Sequence, residues 1–204
     1  KEVDYLGHTL CEEGVKPKKD LLRAITETPK PIDKDQLRSY LGLIEFYSKF
    51  VRNFAEKIEK LRVLMKKGVK FEWGKEQDEA FEGIKKELAG ASILAPYDTT
   101  CETVLTVDAS AVGLGVVLTQ VHKGIEKTIA FASRTLTNIE RKYATIEREA
   151  LAAAWAFEYF RVYIWGCKVT LRTDHRPLLK VLVPGGDQKV TARLARLAAR
   201  LQEY

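Results

Sequence analysis

The sequence predicts an α+β / α/β chain: a mostly helical N-terminal region, then a mixed sheet of three antiparallel strands, a crossover helix and a parallel strand. Three observations predict it. Apolar residues recur at helical spacing through roughly the first 95 residues, as in Leu37, Tyr40, Leu41, Ile44, Tyr47 and Val51. The character changes at Pro96, after which β-branched runs are separated by turn residues. The later elements then come in the order strand, strand, strand, helix, strand, helix, which a crossover connection assembles into one mixed sheet.

The elements follow in order. Val3 to Leu10 reads as a strand, Glu13-Gly14 as a turn and Val15-Lys16 as a short return. Pro17 suits the first turn of a helix running to about Glu27, which Thr28-Pro29 ends. Asp33-Lys34-Asp35-Gln36 has the form of a capping box and opens the helix that carries Leu37 to Val51. Another amphipathic helix holds Ile58, Leu61, Leu64 and Met65 and ends at Lys66-Lys67-Gly68. After Phe71-Glu72-Trp73, a further helix presents Ala80, Phe81, Ile84 and Leu88. Strands are expected over Val104 to Asp108, Gly113 to Gln120 and Thr128 to Ser133, with Lys123-Gly124 as a turn. A long helix from about Arg141 to Ile164 comes next, then a strand over Lys168 to Thr173 and a short helix near Pro177. Pro184-Gly185-Gly186 makes a loop before a last helix from about Thr191 to Tyr204.

Composition narrows the class. Hydrophobic residues make up 46% of the chain, enough for a packed core, yet no apolar run approaches the ~20 residues that cross a bilayer. Cys11, Cys101 and Cys167 are odd in number and far apart, which excludes a disulfide or zinc framework and suits a reducing compartment. The net charge of +6 favours a polyanionic partner over an acidic one.

Three carboxylates stand out by position. Asp108 ends the first strand of the sheet and Asp174 ends the fourth. Taken singly, each reads as a turn-starting aspartate. The long helix has an apolar stripe of Ile146, Ala150, Ala153, Phe157, Phe160 and Ile164, and Glu149 shares that inward face while Glu147 points elsewhere. Glu149 alone reads equally well as an edge residue reaching water. Together the three acids form a set of hard oxygen ligands with no His or Cys partner, suited to Mg²⁺ or Mn²⁺ rather than zinc. Clustered acids repel one another without a cation, and two such ions roughly 4 Å apart suit phosphodiester hydrolysis.

Several spans carry a family resemblance. Asp108-Ala109-Ser110, Ala130 to Leu136, Tyr143 with Glu147 to Ala152, and Thr173 to Leu178 resemble the ribonuclease H domain of gypsy-type LTR retroelements. Tyr5-Leu6-Gly7-His8 resembles the primer-grip strand of that family's reverse transcriptase. Leu37 to Leu43, Phe46-Tyr47 and Phe50 to Phe54 resemble its thumb, and Phe71-Glu72-Trp73 with Ala80-Phe81 its connection. The resemblance implies three segments: the end of the palm plus the thumb over 1–70, a connection over 71–100, and a ribonuclease H-like domain over 101–204 that is incomplete at its C-terminus. It places the family's first three catalytic, metal-binding acids on Asp108, Glu149 and Asp174.

The activity so implied is hydrolysis of the RNA strand of RNA–DNA hybrids with two Mg²⁺ or Mn²⁺ ions, leaving 3′-hydroxyl and 5′-phosphate ends. Implied partners are the hybrid and the remainder of the Pol polyprotein, in a cytoplasmic virus-like particle or the nucleus; a dimer is compatible with this. Nucleic-acid contact is expected at Tyr5, Gly7 and His8, and at Arg193, Arg196 and Arg200, whose spacing makes one basic stripe. His175 and Ser110 read as structural or surface residues beside the site rather than as proton shuttles. The polymerase's own paired aspartates are not in this sequence, and the family continues beyond Tyr204 into a segment bearing a fourth carboxylate, for which Asp187 and Glu203 are poor substitutes. The alternative is therefore a non-catalytic nucleic-acid-binding or structural fragment, or a domesticated relic.

Overall fold

The computed structural model describes residues 1–182 and 190–204; the expected Pro184-Gly185-Gly186 loop and Asp187 lie outside the described residues. The first strand expected over Val3 to Leu10 is two strands, β1 (Val3–Tyr5) and β2 (His8–Cys11). The break is a two-residue hairpin turn: Leu6 and Gly7 both take positive φ (44° and 78°), and Tyr5 pairs with His8 across it. Two positive-φ residues give the twist that joins adjacent antiparallel strands, which alternation alone does not reveal. Strand β3 (Gly14–Pro17) completes a three-stranded antiparallel sheet in the order β1-β2-β3.

Helices α1 (Lys19–Glu27), α2 (Lys34–Glu45), α3 (Phe54–Lys57), α4 (Glu59–Leu64) and α5 (Lys75–Ala89) pack behind this sheet. Asp33 caps α2 by accepting from the Gln36 amide at 2.8 Å. The helix expected to reach Val51 stops at Glu45, and a 3₁₀ turn over Ser48–Phe50 follows. That turn brings Tyr47 and Phe50 against the hairpin, where the Tyr47 hydroxyl donates to the Gly7 carbonyl at 2.7 Å. Ile25, Leu37, Tyr47, Ile58, Leu61, Ile84 and Leu88 form one core, so α5 shares its packing with the helices that precede it.

The second sheet has the order β6-β5-β4-β7, built from β4 (Glu102–Ala109), β5 (Gly113–His122), β6 (Ile125–Thr135) and β7 (Val169–Arg172). The first three run antiparallel in hairpin succession, and β7 lies parallel to β4. The crossover is α6 (Thr145–Tyr159) and α7 (Arg161–Ile164), shorter than the single helix expected from Arg141. The chain holds a 3₁₀ turn at Glu140–Lys142 instead, because Glu140 receives both guanidinium nitrogens of Arg134 at 2.8 Å and the Thr137 amide. Helices α8 (Arg176–Leu182) and α9 (Ala192–Leu201) follow, with α9 lying on α6. Leu105, Val107, Leu114, Val116, Ala150, Ala153 and Phe160 belong to the second core. The sheet is thus covered by α6 on one face and, through Phe131 and α3, by the helical half on the other.

Residues 94 and 95 stitch the two sheets together. Val15 and Leu94 exchange both backbone hydrogen bonds at 2.8 Å, and the Ala95 amide donates to Thr128 on β6 at 2.8 Å. Gly14 makes this approach possible: with φ at +141°, a Cβ there would sit 2.0 Å from the Leu94 carbonyl oxygen. Gly14→Ala is expected to cost at least about 2 kcal/mol, since backbone cannot yield as a side-chain tip can. A midpoint of thermal unfolding equal to that of the parent would contradict this.

Candidate active site

Strand pairing sets two of the three acids. The parallel register aligns Thr106 of β4 with Arg172 of β7, so two residues further on Asp108 and Asp174 stand at adjacent strand ends. Leu105 and Val107 face α6, which by alternation leaves Asp108 on the opposite face beside Gly115, its cross-strand partner. The third acid comes from α6. Tyr143 and Ala144 are extended, α6 starts at Thr145, and Glu149 falls in its second turn. Arg148 fastens that turn to the sheet by donating to the Ser110 carbonyl at 2.9 Å. The Ser110 side chain accepts from the Gly113 amide at 3.0 Å and shapes the β4–β5 turn. His175 is half-buried, with its backbone amide on the Thr173 hydroxyl at 3.1 Å.

Glu149 is the least ordinary group in this arrangement. It is only 4% exposed, and its Oε2 is buried without a hydrogen-bond partner. Burial, followed by the charges of Asp174 and Asp108, pushes its carboxyl up to about 7; the Ala109 amide and the Arg148 charge offset this only in part. A buried carboxylate oxygen left unpaired beside two more carboxylates is costly unless a cation completes it. Ribonuclease H-like domains work with divalent ions, and an all-carboxylate donor set fits one that prefers oxygen.

Glu147 faces another side of the helix, as expected, but it is not free in solvent. It is 6% exposed and accepts from the Thr191 hydroxyl and from Arg193, both at 2.9 Å. Burial pushes its carboxyl up, yet Thr191, Arg193 and the Ala144 amide together hold it below the usual range.

Among the described residues, the three-donor group whose ligand atoms all lie within 4.8 Å is a different one: Asp98, Cys101 and His122. It sits at the far end of β4 from Asp108, and its aspartate is already a turn cap, accepting the Thr100 amide at 2.8 Å and hydroxyl at 2.7 Å. The oxygens of Asp108, Glu149 and Asp174 are spread more widely.

The basic stripe is present on α9, and two of its members have acidic partners. Arg193 pairs with Glu147 and lies 4.0 Å over the Tyr143 ring, and Arg200 donates to Glu158 at 2.8 Å. Arg196 is exposed. In the hairpin, Tyr5 is 62% exposed. Gly7 and His8 instead fasten the strand to the helices. The Gly7 carbonyl accepts from Tyr47 and, at 3.2 Å, from the Lys18 amide, while the His8 ring packs among Phe46, Tyr47 and Phe50. Burial and the nearby Lys49 charge lower the His8 pKa.

Two residues around the site were not singled out from the sequence. Asn53, from the helical half, donates its Nδ2 to Asp108 Oδ2 at 3.3 Å, and Ser133 Oγ accepts from the Ala55 amide at 2.8 Å. Both lie inside spans that carry the family resemblance, which was the only signal available for them.

Comparison with known proteins agrees with this architecture. Residues 98–204 match the family described as the RNase H-like domain found in reverse transcriptase. The chain is similar to the retrovirus-related Pol polyprotein from transposon 412 of Drosophila melanogaster, 36% identical over 203 residues that cover 100% of this chain and 16% of that protein. It is 31% identical over 215 residues to the Pol polyprotein from transposon gypsy of the same organism, covering 99% of this chain and 20% of that one. The chain therefore spans about a fifth or less of these relatives. Among solved structures, the foamy viral protease-reverse transcriptase in complex with RNA/DNA hybrid is similar with a TM-score of 0.79 and 25% identity, over 99% of this chain and 28% of that one. With its mixed sheet, its crossover helix and these retrotransposon relatives, the chain belongs to the RNase H-like domain family of reverse transcriptases, in the LTR retrotransposon line.

Proposed function

We propose that this chain is the nuclease-bearing portion of a retrotransposon reverse transcriptase and hydrolyses the RNA strand of RNA–DNA hybrids with two divalent ions, Mg²⁺ or Mn²⁺. The single observation that carries the reading is the orphaned, buried Oε2 of Glu149 beside Asp108 and Asp174. When bound, such ions stabilise an in-line displacement at phosphorus by activating the attacking water and neutralising the leaving oxygen. The protein's share is placement. Asp108, Glu149 and Asp174 hold the ions, and the Arg148–Ser110 link keeps the first turns of α6 against the end of β4. The hairpin and the basic faces of the helices supply contacts to the hybrid backbone; of the expected set Tyr5, Arg193 and Arg196 are exposed, and Arg193 is already paired with Glu147. The similar foamy viral enzyme is described in complex with an RNA/DNA hybrid, which supports this substrate class.

The test is cleavage of a labelled hybrid in Mg²⁺ and in Mn²⁺. Asp108→Asn is expected to lower the rate more than about a hundredfold, because a ligand carboxylate matters at least as much as the groups that orient it. If Asp108→Asn cuts as well as the parent, the assigned site is wrong. If the parent does not cut either metal's hybrid, the chain acts as a nucleic-acid-binding module.

A further inference from the structure

We propose that Asn53 positions Asp108, so that the helical half of the chain completes the nuclease site of the other half. The inference rests on the reading of Asp108 as a metal ligand. Asn53 and Asp108 are 55 residues apart in sequence and sit on elements whose neighbouring residues, Phe54 and Val107, belong to different cores, yet the Asn53 carboxamide donates to Asp108 Oδ2.

The backbone is shaped to allow it. Asn53 precedes α3 in the left-handed region, φ 52° and ψ 36°, where asparagine is one of few residue types at ease. Its carbonyl oxygen accepts from the Glu56 and Lys57 amides, which fixes the residue at the start of α3. The opposing strand is shaped for it too. A Cβ on Gly115 would come 2.1 Å from Asn53 Oδ1, so the carboxamide occupies space that only glycine leaves open. Two further contacts seat α3 on the sheet and α4 on the 3₁₀ turn that follows it: Ala55 N–H to Ser133 Oγ, and the buried Glu59 with Arg141 at 2.8 Å.

A carboxylate ligand needs an outer hydrogen-bond partner to hold its orientation, and losing such a partner typically weakens metal binding tenfold to a hundredfold. Here that partner comes from the element that resembles a thumb, so seating of the helical half and assembly of the metal site are one event.

The experiment is calorimetric titration of the whole chain with Mn²⁺, comparing the parent with Asn53→Gly, Gly115→Ala, the double variant and Asp108→Asn. Asn53→Gly keeps the left-handed backbone and deletes only the amide. Gly115→Ala leaves Asn53 in the sequence and pushes its side-chain tip aside. Both are expected to bind Mn²⁺ about ten- to a hundredfold more weakly. Because they break the same contact, the double variant should bind no more weakly than the weaker single. Thermal midpoints in EDTA show whether each variant is folded, and the two singles act by different routes, so a folding defect in one leaves the other as the probe. Parental affinity in both singles, with binding lost in Asp108→Asn, overturns the role of Asn53. Additive losses in the double variant overturn it as well. Parental affinity in Asp108→Asn instead removes the metal-site reading itself.

Discussion

Glu149→Gln is expected to stabilise the metal-free protein by about 2 kcal/mol at pH 8 while abolishing metal-dependent cleavage. The carboxyl of Glu149 is raised from 4.5 to about 7 by burial and by Asp174 and Asp108. A folded pKa above the unfolded one means that the folded state binds the extra proton between those two values. The associated stability is present below about pH 4.5 and is lost as pH rises through about 7, where the native state must hold an unpaired buried charge. At about 1.4 kcal/mol per unit the full effect is on the order of 3 kcal/mol, and the amide that Gln brings into the same space takes back about 1. Urea unfolding in EDTA reads this directly: the variant should be the more stable at pH 8, the two curves should cross between pH 4.5 and 7, and the variant should be slightly the less stable at pH 4.5 and below. Added Mn²⁺ should then raise the stability of the parent and leave the variant unchanged, since only binding to the native state shifts the equilibrium. A variant less stable than the parent at pH 8 would refute the claim that Glu149 is held there at a cost for the sake of a cation.

Its neighbour two residues earlier should do the opposite. Glu147→Ala is expected to destabilise the chain by about 3 kcal/mol and to loosen α9 first. The side chain accepts from Thr191, Arg193 and, at 3.3 Å, the Ala144 amide, so it caps α6 and anchors α9 together. Removing it deletes a helix cap, worth about 1 kcal/mol, and removes a charge-assisted and a neutral hydrogen bond at a half-buried contact, together worth about 2. The pH sign is reversed from Glu149. A carboxyl held below its usual range contributes stability above about pH 4.5, which disappears as pH falls through the lowered folded value. Hydrogen exchange provides the local reading: amides over 192–201 should lose protection ahead of those in β4 and β5. Uniform protection loss, or none, would show that α9 is held by its apolar face alone.

These paired predictions show how far the sequence carries. The stripe along α6 identified Glu149 as inward-facing, because a 3.6-residue period fixes which residues share a face. The same logic set Glu147 aside, correctly as to face. It could not say that α9 would cover that face and bury the second acid as well. The strand ends were legible for the same reason. Asp108 and Asp174 close runs of β pattern, and a crossover helix between them makes the strands parallel. The hairpin break at Leu6-Gly7, the early end of α2 and the displaced start of α6 were not legible. Each depends on a partner outside the element itself: Tyr47, forty residues on, for the hairpin, the hairpin for the 3₁₀ turn, and Arg134, on the preceding strand, for Glu140.

By itself the sequence determined the fold class and the order of the main elements, and it singled out the three carboxylates proposed as ligands. Periodicity and turn chemistry are local, and local pattern decides which element forms and which way it faces. Only the tertiary structure decided which charges are paired. It gave Arg193 and Arg200 to Glu147 and Glu158, left Glu149 Oε2 without a partner, and brought Asn53 to Asp108 across the boundary between two cores. Pairing is a property of what packs against a face, and no spacing within one element records it.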